Sequence, residues 1–566
     1  MAVISQKWSA ISSGANPGAA PGRSRAAKLW ADFERMAANR SNHEGLWEDT
    51  NRYFLPSHSG TFSYHGISAA AQMNRRNDYV LDSTPITALK RCSAILQSLV
   101  TPRESAYHRL KPSEPGLLNI RRVAAWFEDT NERILKLRQD TDAGFEGQNG
   151  QYMTSIACFG TAEMFIDPRR DRRGPRYKCV HLREGVIAES HEGVVNAVHR
   201  VFELTARQAS EVPQFEGKLP DTIAKALEHA PDKMFRFLHC VVPRDQVDRR
   251  RKDYAGMPFA SYYVSEMGPT LLSEGGYRTF PYAVSRFEQA PGECYGRGMA
   301  GDALPAAKTL MEVMRAILKQ GHRTVDPVIL TNNDGVLSSG FNARPGAINA
   351  GGVSRDGKLM VQTMPVGQLA AGFEILELVR RQINDALLVE LYRLLEETRE
   401  MTATEVIERL REKAVLLAPS IGRLQSEYLG ALIPREVDIA LQLGLLLPMP
   451  PELINSGSGY EIEYDSPISR TQQAEALGGI VRTYEFANSV ASVTQDPSIY
   501  DAINGDRAIQ RAARINAVPI EILNSPEEME GIRQGRAQAA QQEQQAAAAP
   551  GAAAMINAAT KARSAP

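Results

Sequence analysis

The sequence predicts an α+β protein that is mainly helical. Long segments carry large apolar residues at helical spacing, runs typical of strands are concentrated between about residues 150 and 295, and a short strand-rich segment separates two later helices. The chain has 566 residues, of which 43% are hydrophobic and 23% charged, as is typical of globular proteins. We therefore expect several lobes, each with its own core.

Charge and cysteine content exclude several classes of protein. The 65 basic and 66 acidic residues give a net charge of -1, so the chain lacks the overall positive field of proteins that grip nucleic acid. The five cysteines form no C-x-x-C pair, which predicts reduced thiols and no structural zinc. The chain starts without an apolar segment and contains no run of eighteen apolar residues, so we expect no signal peptide, no spanning helix and no membrane partner, and synthesis in the cytoplasm.

The N-terminal segments are predicted first. Residues 1–28 are rich in Ser, Gly, Ala and Pro and predict a flexible arm. Helical spacing begins near Leu29 and stops at Pro56. A second helix is expected after Asp82-Ser83-Thr84-Pro85, which offers cap residues and an early proline.

A mixed helix and strand lobe is predicted from about 150 to 295. Residues 162–166 and 194–198 have strand composition and are bounded by turn residues. The basic clusters at 169–173 and 249–252 lie beside turn residues, so we interpret them as solvated hairpin tips; a phosphate-contacting patch is the alternative, although interleaved aromatic residues are missing.

An alternation of helix, strands and helix follows. Residues 302–320 have helical spacing and are predicted to end at Gly321. The runs 328–331 and 359–364 predict strands, with Asp334-Gly335 and Asp356-Gly357 as hairpin turns. From residue 368 to about 392 helical spacing returns, with the following residues on one apolar face: Ile375, Leu376, Val379, Ile383 and Leu387.

The remainder of the chain is predicted to be helical with breaks. Residues 402–405 match a capping box, and helical spacing continues to about 443, with kinks expected at Pro419 and Pro434. After the prolines at 448–451, residues 467–515 predict shorter helices. The Ala/Gln-rich segment 534–566 is either a frayed tail or a helix that other copies order.

One short stretch resembles a nucleotide-binding loop. GGVSRDGKL, residues 351–359, contains G-x-x-x-x-G-K, but Leu359 stands where a phosphate loop needs a hydroxyl for magnesium. The following run is strand-like, so these glycines predict a hairpin turn. His181 and His191 lack metalloprotease spacing, and no nucleophile elbow is present. We therefore predict no catalytic site, no metal and no cofactor.

The order of segments resembles the portal, or head-to-tail connector, of short-tailed, T7-like bacteriophages. Local stretches that carry the resemblance are LDSTPITALKRCSAILQSLVTPRESAYHRL (81–110), ACFGTAEMFI (157–166), YGRGMAGDALPAAKTLMEVMRAI (295–317) and MTATEVIERLREKAVLLAPSIGRLQSEYLGALI (401–433). The resemblance covers roughly residues 29–450 and implies a portal fold that assembles into a ring.

The resemblance also implies a division of the chain and a set of partners. Residues 29–297 correspond to the wing, 298–321 and 368–390 to two stem helices, 322–367 to the clip, 391–401 to a channel loop, 402–445 to a long kinked wing helix, 446–520 to the crown, and 521–566 to a tail or helical barrel. The implied assembly is a homo-dodecamer at one capsid vertex of the virion. It would pass double-stranded DNA during packaging and ejection and meet terminase, a tail adaptor, and the major capsid and scaffolding proteins.

Charge predicts which residues face the channel. Acidic groups would repel the duplex from the wall, and the candidates on the second stem helix are Glu374, Glu377, Asp385 and Glu390. In the channel loop, Arg393 and Arg399 lie among Glu396, Glu397 and Glu400, and are expected to make weak, reversible phosphate contacts; ordinary loop charge is an equally supported alternative.

Ring formation predicts apolar contacts between copies. Ile383 and Leu387 are the candidates for the subunit interface. Two other functions stay open: a virion protein, internal or scaffolding, that forms no ring, and a DNA-translocating NTPase, which would need a complete phosphate loop.

Overall fold

The computed structural model is mixed α and β, and it describes most of the chain. The described residues are 21–57, 62, 79–103, 106–248, 250–251, 253–331, 342, 344–365, 369–390, 418–457, 459–464, 467–494, 502–515, 518, 522, 524 and 528–542. Contacts divide them into two compact units. The first contains the described residues before 106 together with 136–445, and the second contains 106–135 together with those after 445.

The first unit opens with a long helix, α1 (Pro21–Phe54). The prediction of a flexible arm is wrong for residues 21–28, because Ala26 is buried together with Trp30 and Phe33 against a sheet. Arg25 donates to the Tyr262 hydroxyl at 2.5 Å, which fixes the first turns of the helix further. Residues 1–20 lie outside the described residues.

Two antiparallel sheets form the mixed lobe that the sequence predicts. The five-stranded sheet has the order β4-β5-β6-β7-β8 and the three-stranded sheet the order β3-β2-β9. Their strands are β2 (Thr161–Pro168), β3 (Pro175–Val180), β4 (Gly185–Glu189), β5 (Val195–Thr205), β6 (Met234–Pro243), β7 (Phe259–Ser265), β8 (Thr270–Tyr277) and β9 (Tyr282–Arg286). His239 of β6 is 2.9 Å from the Tyr282 hydroxyl of β9, so polar side chains link the two sheets inside the core.

The next helices in chain order are α2 (Thr84–Val100), α3 (Arg121–Gln139), α4 (Phe145–Phe159) and the short α5 (Ala206–Ser210) and α6 (Asp221–His229). α3 crosses the boundary between the two units, since residues 106–135 belong to the second. The predicted start of α2 is confirmed, but the cap differs: the Asp82 carboxylate, and not Ser83, accepts from the Thr84 N–H at 2.8 Å. The positive end of the helix dipole also stabilises this negative carboxylate.

The predicted helix, strand pair and helix are present with different ends. Their bounds are α7 (Met299–Val325), β10 (Ile329–Thr331), β11 (Val361–Thr363) and α8 (Leu369–Ala386), and β10 pairs antiparallel with β11. The predicted stop at Gly321 is wrong, since a helix interior tolerates a glycine at a cost of about 1 kcal/mol. α8 ends earlier than predicted because Leu388 takes φ 52, and the turn buries both Leu387 and Val389.

The segment 402–445, which was predicted to be a long kinked helix, is described only from residue 418. It contains a π-helical turn, Gln425–Leu429, followed by α9 (Gly430–Gln442). The irregular turn lies directly N-terminal to Pro434, which cannot donate a backbone hydrogen bond and whose ring crowds the preceding turn. Residues 391–417, including the predicted capping box, lie outside the described residues.

The second unit combines one small sheet with helices. β1 (His108–Pro112) pairs antiparallel with β12 (Tyr460–Tyr464), and the helices are α10 (Pro451–Ser456), α11 (Pro467–Thr494), α12 (Gly505–Ile515) and the helical residues 528–542. The expectation of only short helices between 467 and 515 is wrong, because α11 has 28 residues. Residues 543–566, most of the predicted tail, lie outside the described residues.

Candidate subunit-interface and channel-lining surface

α7 and α8 pack against each other in opposite directions. Two contacts establish this: Ile317 borders Gly372, where an added Cβ would lie 3.1 Å from its side chain, and the segment 81–82 touches both Met311 and Arg380. Moving forward along α7 therefore means moving backward along α8. The absence of a side chain at Gly372 lets the two helices approach closely.

An ion pair fixes the second half of α8 to the start of α2. Arg380 contacts the Asp82 carboxylate at 2.7 Å, and Asp82 also accepts from the Thr84 N–H and hydroxyl at 2.8 and 2.6 Å. Burial alone would raise the pKa of Asp82, but these hydrogen bonds and the Arg380 charge hold it below its usual value. The carboxylate is therefore ionised at neutral pH.

One face of α8 is buried inside the subunit. Leu376 and Val379 are buried, and Ile383 and Leu387 are 0% exposed. Their side chains leave no surface for another copy to cover, so the burial gives no support to their prediction as interface residues. Ile375 was predicted on this face, but it is 50% exposed, because its position lies about 100° around the helix from Leu376.

The outer face of α8 is polar in the middle and apolar on both flanks. Glu374, Arg381 and Asp385 are exposed at spacings of seven and four, which place them on one stripe. Exposed Ile375 lies on one side of this stripe and exposed Phe373 on the other, each about 100° around the helix from Glu374. Exposed Leu378 lies at the edge of the stripe on the side of Ile375, four residues from Glu374 and seven from Asp385. The sequence analysis placed Ile375 on the buried face and did not single out Phe373 or Leu378; the available signal was that these two break the single-face pattern.

The two remaining acidic candidates are also exposed. Glu377 adds less negative charge to the stripe, because Arg380 lies 2.7 Å from its carboxylate. Glu390 is exposed beyond the end of α8. The channel-loop candidates Arg393, Glu396, Glu397, Arg399 and Glu400 all lie outside the described residues.

α7 presents a partly uncovered apolar stripe. Leu304, Met311, Leu318 and Val325 repeat every seven residues, the spacing of helices that pack along their length. The first two are buried within the subunit, whereas Leu318 and Val325 are exposed. The stripe therefore continues past the part of the subunit that covers it.

The insert between α7 and α8 exposes further apolar residues. Val328, Leu330, Ile348 and Met364 are all more than half exposed around the two short strands. A two-stranded sheet of this size has little to bury by itself. The uncovered apolar surface of α7 and α8 thus extends into the insert.

The stretch 351–359 forms a turn, as predicted, although its geometry differs. The Gly357 N–H donates to the Ser354 carbonyl at 3.0 Å and the Ser354 N–H to the Lys358 carbonyl at 2.9 Å. Gly357, with φ 77, follows the turn and is not one of its two central residues. This is a hairpin in which a left-handed glycine closes a three-residue loop.

The π-helical turn holds two side chains against the body of the subunit. Tyr428 stacks on Tyr152 with 4.1 Å between ring centroids and donates to Asn149 at 2.8 Å. Glu427 lies 2.7 Å from buried Arg286. The helix that contains this turn is therefore fixed at this point by stacking and by an ion pair.

A buried ion pair anchors the next turns of the same helix. Arg138 donates through Nε to Glu436 of α9 at 2.9 Å, and both residues are 1% exposed. The Tyr177 hydroxyl donates to the same carboxylate at 2.5 Å. Every charge in this cluster has a partner, so α9 is held to α3 and β3.

The basic cluster at 169–173 is a hairpin connection between β2 and β3, as the favoured interpretation predicted. Arg169 is buried and contacts Asp140 and Asp171 at 2.7 and 2.6 Å. Arg172 and Arg173 are exposed. In the second cluster, Arg249 and Lys252 lie outside the described residues.

Three titratable groups with shifted pKa values are buried in the mixed lobe. Burial raises the pKa of Glu163 to about 8, against the effect of Arg40 and Arg200. Burial lowers the pKa of His199 to about 4 and that of His239 to about 3. All three are therefore uncharged at neutral pH, as buried core groups are.

The other features that would indicate chemistry are weak. His181 accepts from the Arg183 N–H at 3.2 Å, and His191 is exposed beside Glu192. Within the described ranges, no group of three metal-ligating side chains is arranged to hold an ion. Among the described helices, none combines the length and apolar character needed to span a bilayer.

Comparisons with known proteins point to one class of protein over most of the chain. The model of the family "Bacteriophage head to tail connecting protein" matches residues 26–523. A probable portal protein of Bordetella phage BPP-1 is 25% identical over 534 residues, which is 91% of this chain and 92% of the relative. A portal protein of Salmonella phage epsilon15 is 25% identical over 526 residues, 91% of each chain.

Proposed function

We propose that this chain, which belongs to the family of bacteriophage head-to-tail connecting proteins, forms a closed ring that acts as the portal for double-stranded DNA. The ring would contain twelve copies at one capsid vertex of the virion. The observation that carries this proposal within the structure is the outer face of α8, which has a charged stripe with an exposed apolar flank on each side.

Ring closure explains the two flanks. A ring needs a heterologous interface, in which each copy uses one surface toward the copy before it and another toward the copy after it. Phe373 lies on one flank of α8, and Ile375 and Leu378 on the other, so both sides have apolar surface to bury. Such contiguous apolar surface is unfavourable in water and typical of an interface.

The stripe between the flanks would then face the hole. Glu374 and Asp385 give it a net negative charge even with Arg381 among them, and Glu377 and Glu390 add to the same region. Negative charge repels DNA phosphates, so the duplex would slide without being held. The formal charge of -1 for the whole chain agrees with a conduit, because each phosphate contact would add affinity and oppose movement.

The divisions implied by the portal resemblance become part of this proposal. α7 and α8 form the stem, the insert between them forms the clip, and the unit that contains α11 and α12 includes the crown. The exposed apolar residues of the insert, such as Leu330 and Met364, support a docking role for the clip. Terminase would bind there during packaging and a tail adaptor afterwards, while capsid and scaffolding proteins would surround the wing.

Arg393 and Arg399 of the channel loop stay candidates for transient phosphate contact. Glu427 and Tyr428 fix the helix that would follow this loop to the rest of the subunit. In this proposal the loop therefore extends from a rigid base. The motive force for DNA movement comes from the terminase in this proposal, and the chain itself acts as a passive wall.

Negative-stain electron microscopy of the purified chain tests the proposal. A toroid with a central hole is expected. Compact particles without a hole would favour an internal or scaffolding virion protein. Turnover of ATP by the pure protein would favour the alternative of a translocating NTPase, and either result would overturn the passive ring.

A further inference from the structure

α12 and the helical residues 528–542 carry exposed arginines that have no acidic partner among the residues that the structure describes. Asp506 is the sole acidic residue in the α12 sequence, and it is already bound by Arg533 at 2.6 and 2.8 Å. Arg507 and Arg511 are exposed, and neither has an acidic partner among the residues that the structure describes. Arg536 is likewise exposed and, within those residues, without an ion pair.

The nearby acidic groups do not cancel this charge. Glu528 is bonded to Arg121 at 2.9 Å, so its charge is already used. Glu530 is close enough to interact with Arg533. The bridge between Arg533 and Asp506 links the two helical segments, so Arg536 lies on a segment that is attached to α12.

The orientation of α12 is fixed by its own packing. Ala513 is buried, and the Asn504 side chain caps the helix by accepting from the Arg507 N–H at 3.0 Å. Arg507 and Arg511 are four residues apart, which places them on one face about 6 Å apart along the axis. Two guanidinium groups are therefore presented to solvent side by side.

We propose that this arginine face of α12, with Arg536, contacts the phosphate backbone of double-stranded DNA. The inference rests on the proposed function, in which DNA passes the crown. Guanidinium groups bind phosphate oxygens with matching geometry, and contacts to the backbone carry no sequence preference. A chain with a net charge of -1 that concentrates exposed arginines here provides a local, salt-sensitive contact and no general grip.

The chemistry of the face favours DNA over an acidic protein surface. Protein interfaces bury an apolar core inside a polar rim. Arg507 and Arg511 are flanked on their face by Gln510, and the helix directs its alanines elsewhere. Repeated by every copy around a ring, the face would give a circle of positive charge around the duplex.

Fluorescence anisotropy with a random-sequence DNA duplex, titrated between 50 and 200 mM salt, tests the inference on full-length protein. The variant Arg507→Gln/Arg511→Gln is compared with Arg507→Lys/Arg511→Lys, which keeps the charge. Arg172→Gln/Arg173→Gln is the matched control, because it removes two exposed arginines from the β2–β3 connection. We expect the glutamine variant of α12 to bind about tenfold more weakly, with a salt dependence flatter by about 0.9 for each phosphate that the protein no longer neutralises. The lysine variant and the control should retain the wild-type dependence.

The inference is overturned if the wild type binds no duplex, or if the α12 glutamine variant keeps the full salt dependence, as it would with an acidic protein as the true partner. Equal losses in the α12 variant and the control would also overturn it, because they would reflect total charge alone. Electron microscopy of the same samples separates the two proposals: absence of rings in the wild type counts against the ring, whereas intact rings with unchanged salt dependence count against the arginine face.

Discussion

Replacing Leu378 by aspartate should weaken assembly without unfolding the subunit. Leu378 is 58% exposed on the outer face of α8. Burying a whole leucine side chain contributes about 1.5–3 kcal/mol, so covering the exposed part contributes roughly 1–2 kcal/mol at each interface. A carboxylate in the same place adds a desolvation cost if the neighbouring copy still covers it.

The expected effect on assembly is large enough to measure. A loss of about 1.4 kcal/mol corresponds to a tenfold change in an association constant. Analytical ultracentrifugation over a concentration series should therefore show the midpoint of assembly shifted at least about tenfold upward for Leu378→Asp. The melting temperature of the dissociated subunit should stay close to that of the wild type.

Two further variants make the test specific. Ile383→Asp, five residues along the same helix, places a charge at a fully buried position and should lower the melting temperature itself. Leu227→Asp on α6 replaces another partly exposed helical leucine, away from α7 and α8, and should leave assembly unchanged. If Leu378→Asp assembles like the wild type at every concentration, this flank of α8 is not an interface.

Three more predictions concern stability. Glu436→Ala should cost about 3–5 kcal/mol in urea denaturation, because it leaves buried Arg138 without its counter-ion; a loss below about 1 kcal/mol would contradict the role of this pair. The free energy of unfolding of the wild type should fall as the pH drops from about 6.5 toward 4, because the lowered pKa values of His199 and His239 mean that the unfolded chain binds more protons in this window. The same measurement on His199→Gln should show a smaller fall. The raised pKa of Glu163 acts in the opposite sense: its protonated form contributes stability that is fully present below pH 4.5 and is lost as the pH rises through about 8. Glu163→Gln should therefore be more stable than the wild type in denaturation at pH 9. A less stable variant at that pH would contradict the assignment.

Much of the fold could be predicted from local pattern. α2 and the strand pair β10–β11 appear where the spacing of apolar residues and the turn residues place them. Helix ends were less predictable. Residues 21–28 belong to α1 because Ala26 has a sheet to cover, and α7 continues through Gly321 because a helix interior tolerates one glycine. The contact between Ala26 and the sheet is not visible in a short window of sequence.

The candidate surface was only partly predictable for a related reason. The pattern identified α8 as amphipathic, and Ile383 and Leu387 do lie on its apolar face. Periodicity alone does not tell whether such a face meets the same chain or another copy. Exposed Phe373 and Leu378 could be recognised only after the structure showed which face the subunit covers itself.

The mass of the assembled full-length protein, measured by native mass spectrometry, tests the passive ring most directly. The account predicts one closed species with twelve chains, since heterologous contacts with the correct rotation stop growing when the ring closes. A monomer at all concentrations, or a ladder of masses that keeps growing with concentration, would contradict it.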